Sequence, residues 1–384
     1  MGWTVEERYL FQLVRQSVYD NLQAGQTLGA AVIQVPGVRF NWDFFVERAI
    51  DGGTAPMAYV ALSDGDASPP DGVMEQLRTL YRLSAAENMQ YLACTRRLLL
   101  ACEEEALHPI VLRGTLFAEW LYSDMALRPF GDIDLLVRPE QLYALETLLE
   151  TQGYERIPGH DQQWTNHVAV IDVHTDLVGG DRIAARRRAV RIDMEAIWKA
   201  STPTAVAGAP ARRLCWADQL LTCALHAIKH SCDRLLWFAD MAALIRMPQR
   251  VSLEALTVRA RQFGLEKPLY YMLDFLRETI GTPVPEAMMA SLKPLKAGWI
   301  EQRLMRRVLR GEQVGRFGEV FNLFLFERND DRWSFIKETF FPRQEVLTQS
   351  YGLSGTIPWK NNVKRIWHVA DMTVKIFYSR NGMK

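Results

Sequence analysis

One short segment limits how this 384-residue chain can fold more than any other. Asp132-Ile133-Asp134-Leu135-Leu136-Val137 alternates polar and apolar side chains and then closes on an apolar run. A period of two is the pattern of a strand with one wet face. Leu135-Leu136-Val137 is too apolar for an exposed edge, so the two aspartates stand at the mouth of a buried strand. Two residues apart, their carboxylates emerge on the same face. Carboxylates held that close repel each other, and each raises the other's pKa unless a cation sits between them. A D-x-D pair alone also fits a loop start, with Gly131 as the turn and Asp134 at an exposed edge.

The surrounding pattern supports the strand. From Val73 to Leu107 the chain reads as one or two long helices, unbroken by Gly or Pro. After Pro109 the period changes, and Ile110-Val111-Leu112 fits a buried strand. Arg113-Gly114-Thr115 then leads into a helical stretch from Leu116 to Tyr122. Pro139 opens a helix with Leu142, Leu145, Leu148 and Leu149 on one stripe, stopped by Gly153. A third strand, Val168 to Val173, carries Asp172 and ends at His174. Upstream, residues 3–22 and the stretch from Trp42 to Ala49 read as helices, and Ser63 to Gly72 forms a polar, turn-rich break. From Leu214 onward the pattern is helical, with turns at Gly264, at Gly281-Thr282-Pro283 and at Pro358. The expected fold is α+β: a small mixed sheet in a core spanning residues 73–205, flanked by helical regions at 1–72 and 206–384.

Composition removes several alternatives. Forty-five basic residues balance forty-five acidic ones, so no global field draws the chain to nucleic acid. Five cysteines, an odd set without C-x-x-C spacing, argue against zinc and a disulfide framework and for a reducing compartment. The first residues lack the basic-then-apolar pattern of a signal peptide. No apolar run reaches the roughly 18 residues that a transmembrane segment needs. A cytoplasmic protein is expected.

Hard divalent cations take oxygen ligands, usually one or two carboxylates together with substrate phosphates. Two such ions can clamp both the attacking and the leaving oxygen of an in-line displacement. Such a site still needs a third carboxylate from a neighbouring strand, and Asp172 is the candidate. With that, the blocks Leu112-Arg113-Gly114-Thr115, Arg128-Pro129-Phe130-Gly131-Asp132-Ile133-Asp134 and Ile171-Asp172-Val173-His174 resemble the bacterial nucleotidyltransferase-like family. That family belongs to the DNA polymerase beta-like superfamily. Leu225-His226-Ala227-Ile228-Lys229-His230, the later stretch Arg234 to Asp240, and Trp42-Asp43 extend the likeness over most of the chain.

The resemblance implies a metal-dependent transfer of a nucleoside monophosphate, with AMP expected, from an NTP to a hydroxyl acceptor. The acceptor would be a small molecule, peptide or protein, and pyrophosphate would leave. Asp132, Asp134 and Asp172 would hold Mg2+ or Mn2+, with Asp172 as ligand or general base. Gly114, Thr115 and Gly131 would line the nucleoside triphosphate, and Arg113 and Arg128 would neutralise its phosphates. Arg113 departs from the family's usual lysine, keeping the charge but not the geometry. Thr115 replaces the commoner serine and keeps the hydroxyl.

Other residues carry two readings each. His174 shares a strand face with Asp172 and either orients a carboxylate or is an ordinary hydrogen-bonded histidine. Asp176 fits a turn cap. His226 and His230 have a metal-site spacing, but the glutamate of a zinc protease motif is missing. The resemblance instead implies that their helix faces the sheet, with Lys229, His230 or Asp240 near the substrate. Arg186-Arg187-Arg188 with Arg191 fits a solvated helix face before a nucleic-acid contact. Trp359 to Lys384 reads as a final docking helix, with membrane-surface binding as the alternative. The competing function is a catalytically silent partner protein in a biosynthetic pathway that keeps the fold.

Overall fold

The computed structural model describes residues 3–20, 40–65, 69–158, 160–178, 184–247, 253–294, 298–309, 321, 323–326 and 328–340. The expected turn at Pro358 and the expected C-terminal helix lie outside the described residues.

Among the described residues, three helices come before the Pro69-Pro70 break: α1 (Val5–Asp20), α2 (Trp42–Asp51) and α3 (Ala55–Ser63). The third was not foreseen, because its small residues carry little amphipathic contrast. Asn41 caps α2, its side chain accepting from the Phe44 N–H at 3.0 Å. After the Pro69-Pro70 break, α4 (Asp71–Glu104) runs unbroken for 34 residues. Its apolar stripe of Leu77, Leu92, Leu98 and Leu99 is buried, and α4 packs along α3 and the sheet.

Among the described residues the sheet has seven strands, against the small sheet expected. They are β1 (Ile110–Leu112), β2 (Ile133–Leu136), β3 (Glu155–Ile157), β4 (His160–Thr165), β5 (Val170–His174), β6 (Thr202–Val206) and β7 (Ala209–Arg213). Their order is β3-β4-β5-β2-β1-β7-β6. The β2–β5 and β1–β7 pairs are parallel, and the other four are antiparallel. β2 is central, and all four of its residues are buried, as its apolar run demanded. It begins one residue later than expected, leaving Asp132 just ahead of it. The two outer hairpins have no clear period-two signature. β6 and β7 contain Pro203 and Pro210, which break a ladder and usually deny a strand. Their turn, Ala207-Gly208, has φ of +50° and +72°, the left-handed pair that a two-residue hairpin needs. The sheet therefore continues past residue 205.

Between β1 and β5 lie α5 (Arg113–Trp120) and α6 (Leu142–Thr151). Pro139 opens a 3-10 turn that runs into α6, and Gly153, with φ +80°, ends it. Beyond the short helices α7 (Arg186–Ala189) and α8 (Met194–Ala200) and the last hairpin, the described chain is helical. It forms α9 (Trp216–Lys229), α10 (Leu235–Arg246), α11 (Leu253–Phe263), α12 (Glu266–Thr279), α13 (Glu286–Leu292) and α14 (Trp299–Leu309), with a last helix at Asn329–Phe340. α9 packs against α10, α11 and α12, and α1 reaches across to α10 and α12. Helices from both ends of the chain thus pack on one another, and the helices that line the sheet are chiefly α4 and α5. No described helix is long and apolar enough to cross a membrane.

Candidate active site

Parallel pairing of β2 with β5 sets Asp134 directly opposite Asp172, and Leu136 opposite His174. Ligand atoms of Asp134, Asp172 and His174 all lie within 4.8 Å of one another. Asp134 is buried: its Oδ1 lies 2.8 Å from His174 Nε2, and its Oδ2 accepts from Arg113 Nη2 at 3.1 Å. His174 Nε2 is also 3.7 Å from Asp172 Oδ2. Burial works against a charged Asp134, yet Arg113 and His174 hold its carboxyl well below the usual range. The same contact, working against burial, raises His174. Asp132 lacks such partners. Burial first, and the charge of Asp134 next, push it up to about 6. Three carboxylates therefore share one electrostatic neighbourhood at the end of two central strands.

The β1–α5 turn closes over this cluster. Arg113 adopts φ +33°, a region that side chains avoid, so the turn carries backbone strain beside the carboxylates. Gly114 has a positional reason: a Cβ there would stand 3.1 Å from the Asp132 carbonyl oxygen. No side chain caps the start of α5, which leaves the first backbone N–H groups, including that of Gly114, for an anion. The expected hydroxyl of Thr115 does not join them. Thr115 is wholly buried, and its Oγ1 has no partner among the described residues, so it faces the interior. Gly131 is exposed, next to Asp132.

Arg128 and Asp240, both expected near the substrate, are brought together in the interior instead. Arg128 Nη2 donates to Asp240 Oδ2 at 2.9 Å, and the Tyr122 hydroxyl donates to Asp240 Oδ1 at 3.0 Å. Both members are buried, so Arg128 cannot meet a phosphate without leaving a buried carboxylate unpaired. The pair ties the loop before Asp132 to α10. The opposite side of that loop is held by residues that sequence reasoning missed. Along one face of α4, Tyr81 donates to Asp124 Oδ2 at 2.7 Å and Ser84 to the Ala126 carbonyl at 2.8 Å. Asn88 donates to the carbonyls of Met125 and Arg128 at 2.7 and 3.0 Å, and Tyr91 to that of Gly131 at 2.7 Å. The signal was present: spacings of three, four and three residues put these polar groups on one helical stripe beside Leu77 and Leu92.

Toward the end of α9, the His226 and His230 rings stand 4.5 Å apart, and Trp237 of α10 lies 4.9 and 5.6 Å from them. Burial, then Arg113 and His230, push His226 well below its ordinary value, which keeps it neutral and within electrostatic range of Asp134. Lys229 and His230 are exposed. The histidine pair belongs to no group of three potential metal ligands among the described residues. Asp176 is a turn cap, accepting from the Val178 N–H at 2.8 Å, and it also pairs with Arg187. The basic run is divided, since Arg186 is buried and Arg188 bonds Asp331 at 3.0 Å.

Among the described residues, Asp134, Asp172 and His174 form the group whose ligand atoms could hold one divalent cation, while Asp132 stands outside that group, just ahead of β2 and crowded by the charge of Asp134. Carboxylate oxygens are what Mg2+ and Mn2+ take. His174, bonded to Asp134, holds that carboxylate's orientation.

A family model described as "Uncharacterised nucleotidyltransferase" matches residues 39–281, a stretch that includes every residue of this cluster. No curated protein and no solved structure matches the chain.

Proposed function

The chain belongs to this nucleotidyltransferase family, and from that premise we propose which residues carry the transfer and what it yields. Membership makes the chain a transferase of nucleotidyl groups that acts on a nucleotide substrate, in a class that generally uses divalent metals. The proposed reaction moves a nucleoside monophosphate, AMP in the first case to test, from an NTP to a hydroxyl on a small molecule, peptide or protein. Pyrophosphate leaves. The observation that carries this reading is the register pairing of Asp134 with Asp172, with Asp132 just ahead of β2 and the uncapped start of α5 beside them.

Asp132, Asp134 and Asp172 would hold Mg2+ or Mn2+. When bound, the ion supplies positive charge against the triphosphate and lowers the pKa of a nearby hydroxyl. Asp172, less enclosed than Asp134, is the carboxylate best able to accept the acceptor's proton. The backbone N–H of Gly114, at the start of α5, is aimed where an anion is stabilised. Arg113 has two carboxylate-sized partners to choose between, Asp134 and an arriving phosphate, and its fork suits either. Lys229 and His230 stand exposed at the end of α9, where they can meet the nucleotide. Positioning and charge neutralisation account for most of the catalysis in such transfers.

One observation favours the silent-partner reading. Both oxygens of Asp134 are already engaged, by Arg113 and His174, as in a self-satisfied structural cluster. Paired incubations with α-labelled and γ-labelled NTP, Mg2+ or Mn2+ and candidate acceptors separate the two. The α-label is expected in a covalent product and the γ-label in pyrophosphate. Asp132→Asn/Asp134→Asn should cut transfer by at least about 100-fold, the scale of losing charge stabilisation at a reacting centre. Transfer that survives those substitutions sinks the mechanism, and metal-independent binding without transfer supports the silent partner.

A further inference from the structure

We infer that Tyr91 is a positioning residue of the carboxylate site: its hydroxyl holds the Gly131 carbonyl just ahead of β2, and so sets where Asp132 stands relative to Asp134 and Asp172. The inference rests on the nucleotidyl-transfer reading of those carboxylates. Tyr91 lies on the loop-facing stripe of α4, and its hydroxyl donates to the Gly131 carbonyl at 2.7 Å. Gly131 immediately precedes Asp132, and two residues after Gly131 the strands β2 and β5 come into register, at Ile133 and Ile171. One hydroxyl therefore holds the backbone immediately before Asp132.

The ring has a separate task. It packs edge-on against Phe130, with centroids 5.6 Å apart and an interplanar angle of 78°. Phe130 in turn lies against the Gly114 turn. Tyr91→Phe would keep all of this packing and lose only the hydrogen bond to the Gly131 carbonyl. Upstream, the loop is held at Asp124 to Arg128 by Tyr81, Ser84, Asn88 and the Arg128–Asp240 pair. Beyond Arg128 the clamp passes to Tyr91, and Asp132 is the charged side chain whose position depends on it. Asp132 has no strong bond of its own to choose its place, so a mobile strand entry would let it drift from the ion.

The test compares full-length wild type with Tyr91→Phe. In metal-free protein, hydrogen exchange should rise by about fivefold or more in peptides covering residues 130–134, the scale set by one lost hydrogen bond. Exchange in α9 and β1 should not change, and the melting temperature should fall by no more than a few degrees. Mn2+ affinity should weaken by about fivefold to tenfold, and kcat should fall while KM for the nucleotide holds. Unchanged exchange at residues 130–134, or unchanged Mn2+ affinity in a wild type that binds Mn2+, overturns the inference. So does a general rise in exchange with a large loss of melting temperature, which would make Tyr91 a packing residue only. A wild type that takes up no Mn2+ and transfers nothing overturns the functional reading instead, while the exchange comparison still decides whether Tyr91 holds the backbone before Asp132.

Discussion

Asp132, flanked by Asp134 and Asp172 and lacking an arginine of its own, is the side chain whose replacement separates stability from function. Its pKa, pushed up to about 6 by burial and like charge, lies above that of an unfolded aspartate, so its ionised form costs folding free energy at neutral pH. Asp132→Asn should melt at or above the wild-type temperature without metal, while transfer is lost; calorimetry beside the labelled-nucleotide assay checks both. A drop of several degrees would mark Asp132 as structural. Gly114→Ala tests the turn: the added methyl would sit 3.1 Å from the Asp132 carbonyl, so the strand entry must shift by a few tenths of an ångström. A loss of stability of about 1 kcal/mol with a larger loss in kcat is expected, since overpacking costs roughly that much. At this scale the sequence was readable where spacing sets placement, with Asp134 on a buried strand and Asp172 on a neighbouring one. It was not readable where a partner lies far along the chain: Arg128 finds Asp240 at a separation of 112 residues. Nor does any local pattern reveal that the Thr115 hydroxyl turns inward.

Among the elements, α4 does more than bury an apolar stripe, because its polar face fixes the loop that delivers Asp132. Asn88 is fully buried and donates to two carbonyls, so Asn88→Ala strands both. A destabilisation of about 2–3 kcal/mol is expected from denaturant unfolding, within the range for orphaned buried acceptors. A change below about 0.5 kcal/mol would mean the clamp is ornamental. Asp240→Ala should cost more, about 3–5 kcal/mol, by leaving Arg128 charged and alone in the interior. β1, β2, the helical run after Val73 and the helical character of the chain beyond Leu214 were legible from period and punctuation, but the break between α9 and α10, at His230 to Arg234, carries no Gly or Pro to mark it. The hairpins β3–β4 and β6–β7 were not legible. Their strands are polar or carry proline, and pairing, not hydrophobic alternation, makes them strands. The mouth of the buried strand was foreseen; the helix face that steadies it was not.

For the whole molecule, helices from both ends of the chain pack on one another while α4 and α5 line the sheet, and the cluster lies where β2 and β5 meet the turn into α5. His226 on α9 faces this region as a neutral ring, held well below its ordinary pKa by burial and by Arg113 and His230. Below about pH 6.5 the unfolded chain takes up a proton that the folded one refuses, so stability from this residue is present above that pH and lost as pH falls. Between pH 7.5 and 5.5 the melting temperature of wild type should therefore drop further than that of His226→Gln; equal drops would remove His226 from the account. The central claim concerns the carboxylates themselves. Anomalous diffraction from crystals soaked in Mn2+ with a non-hydrolysable NTP analogue tests it most directly. A manganese peak coordinated by Asp132, Asp134 and Asp172, with phosphate oxygens completing its shell beside Gly114, is the expected result. A nucleotide bound elsewhere, or a saturated soak that leaves these three side chains paired only with Arg113 and His174, would contradict it.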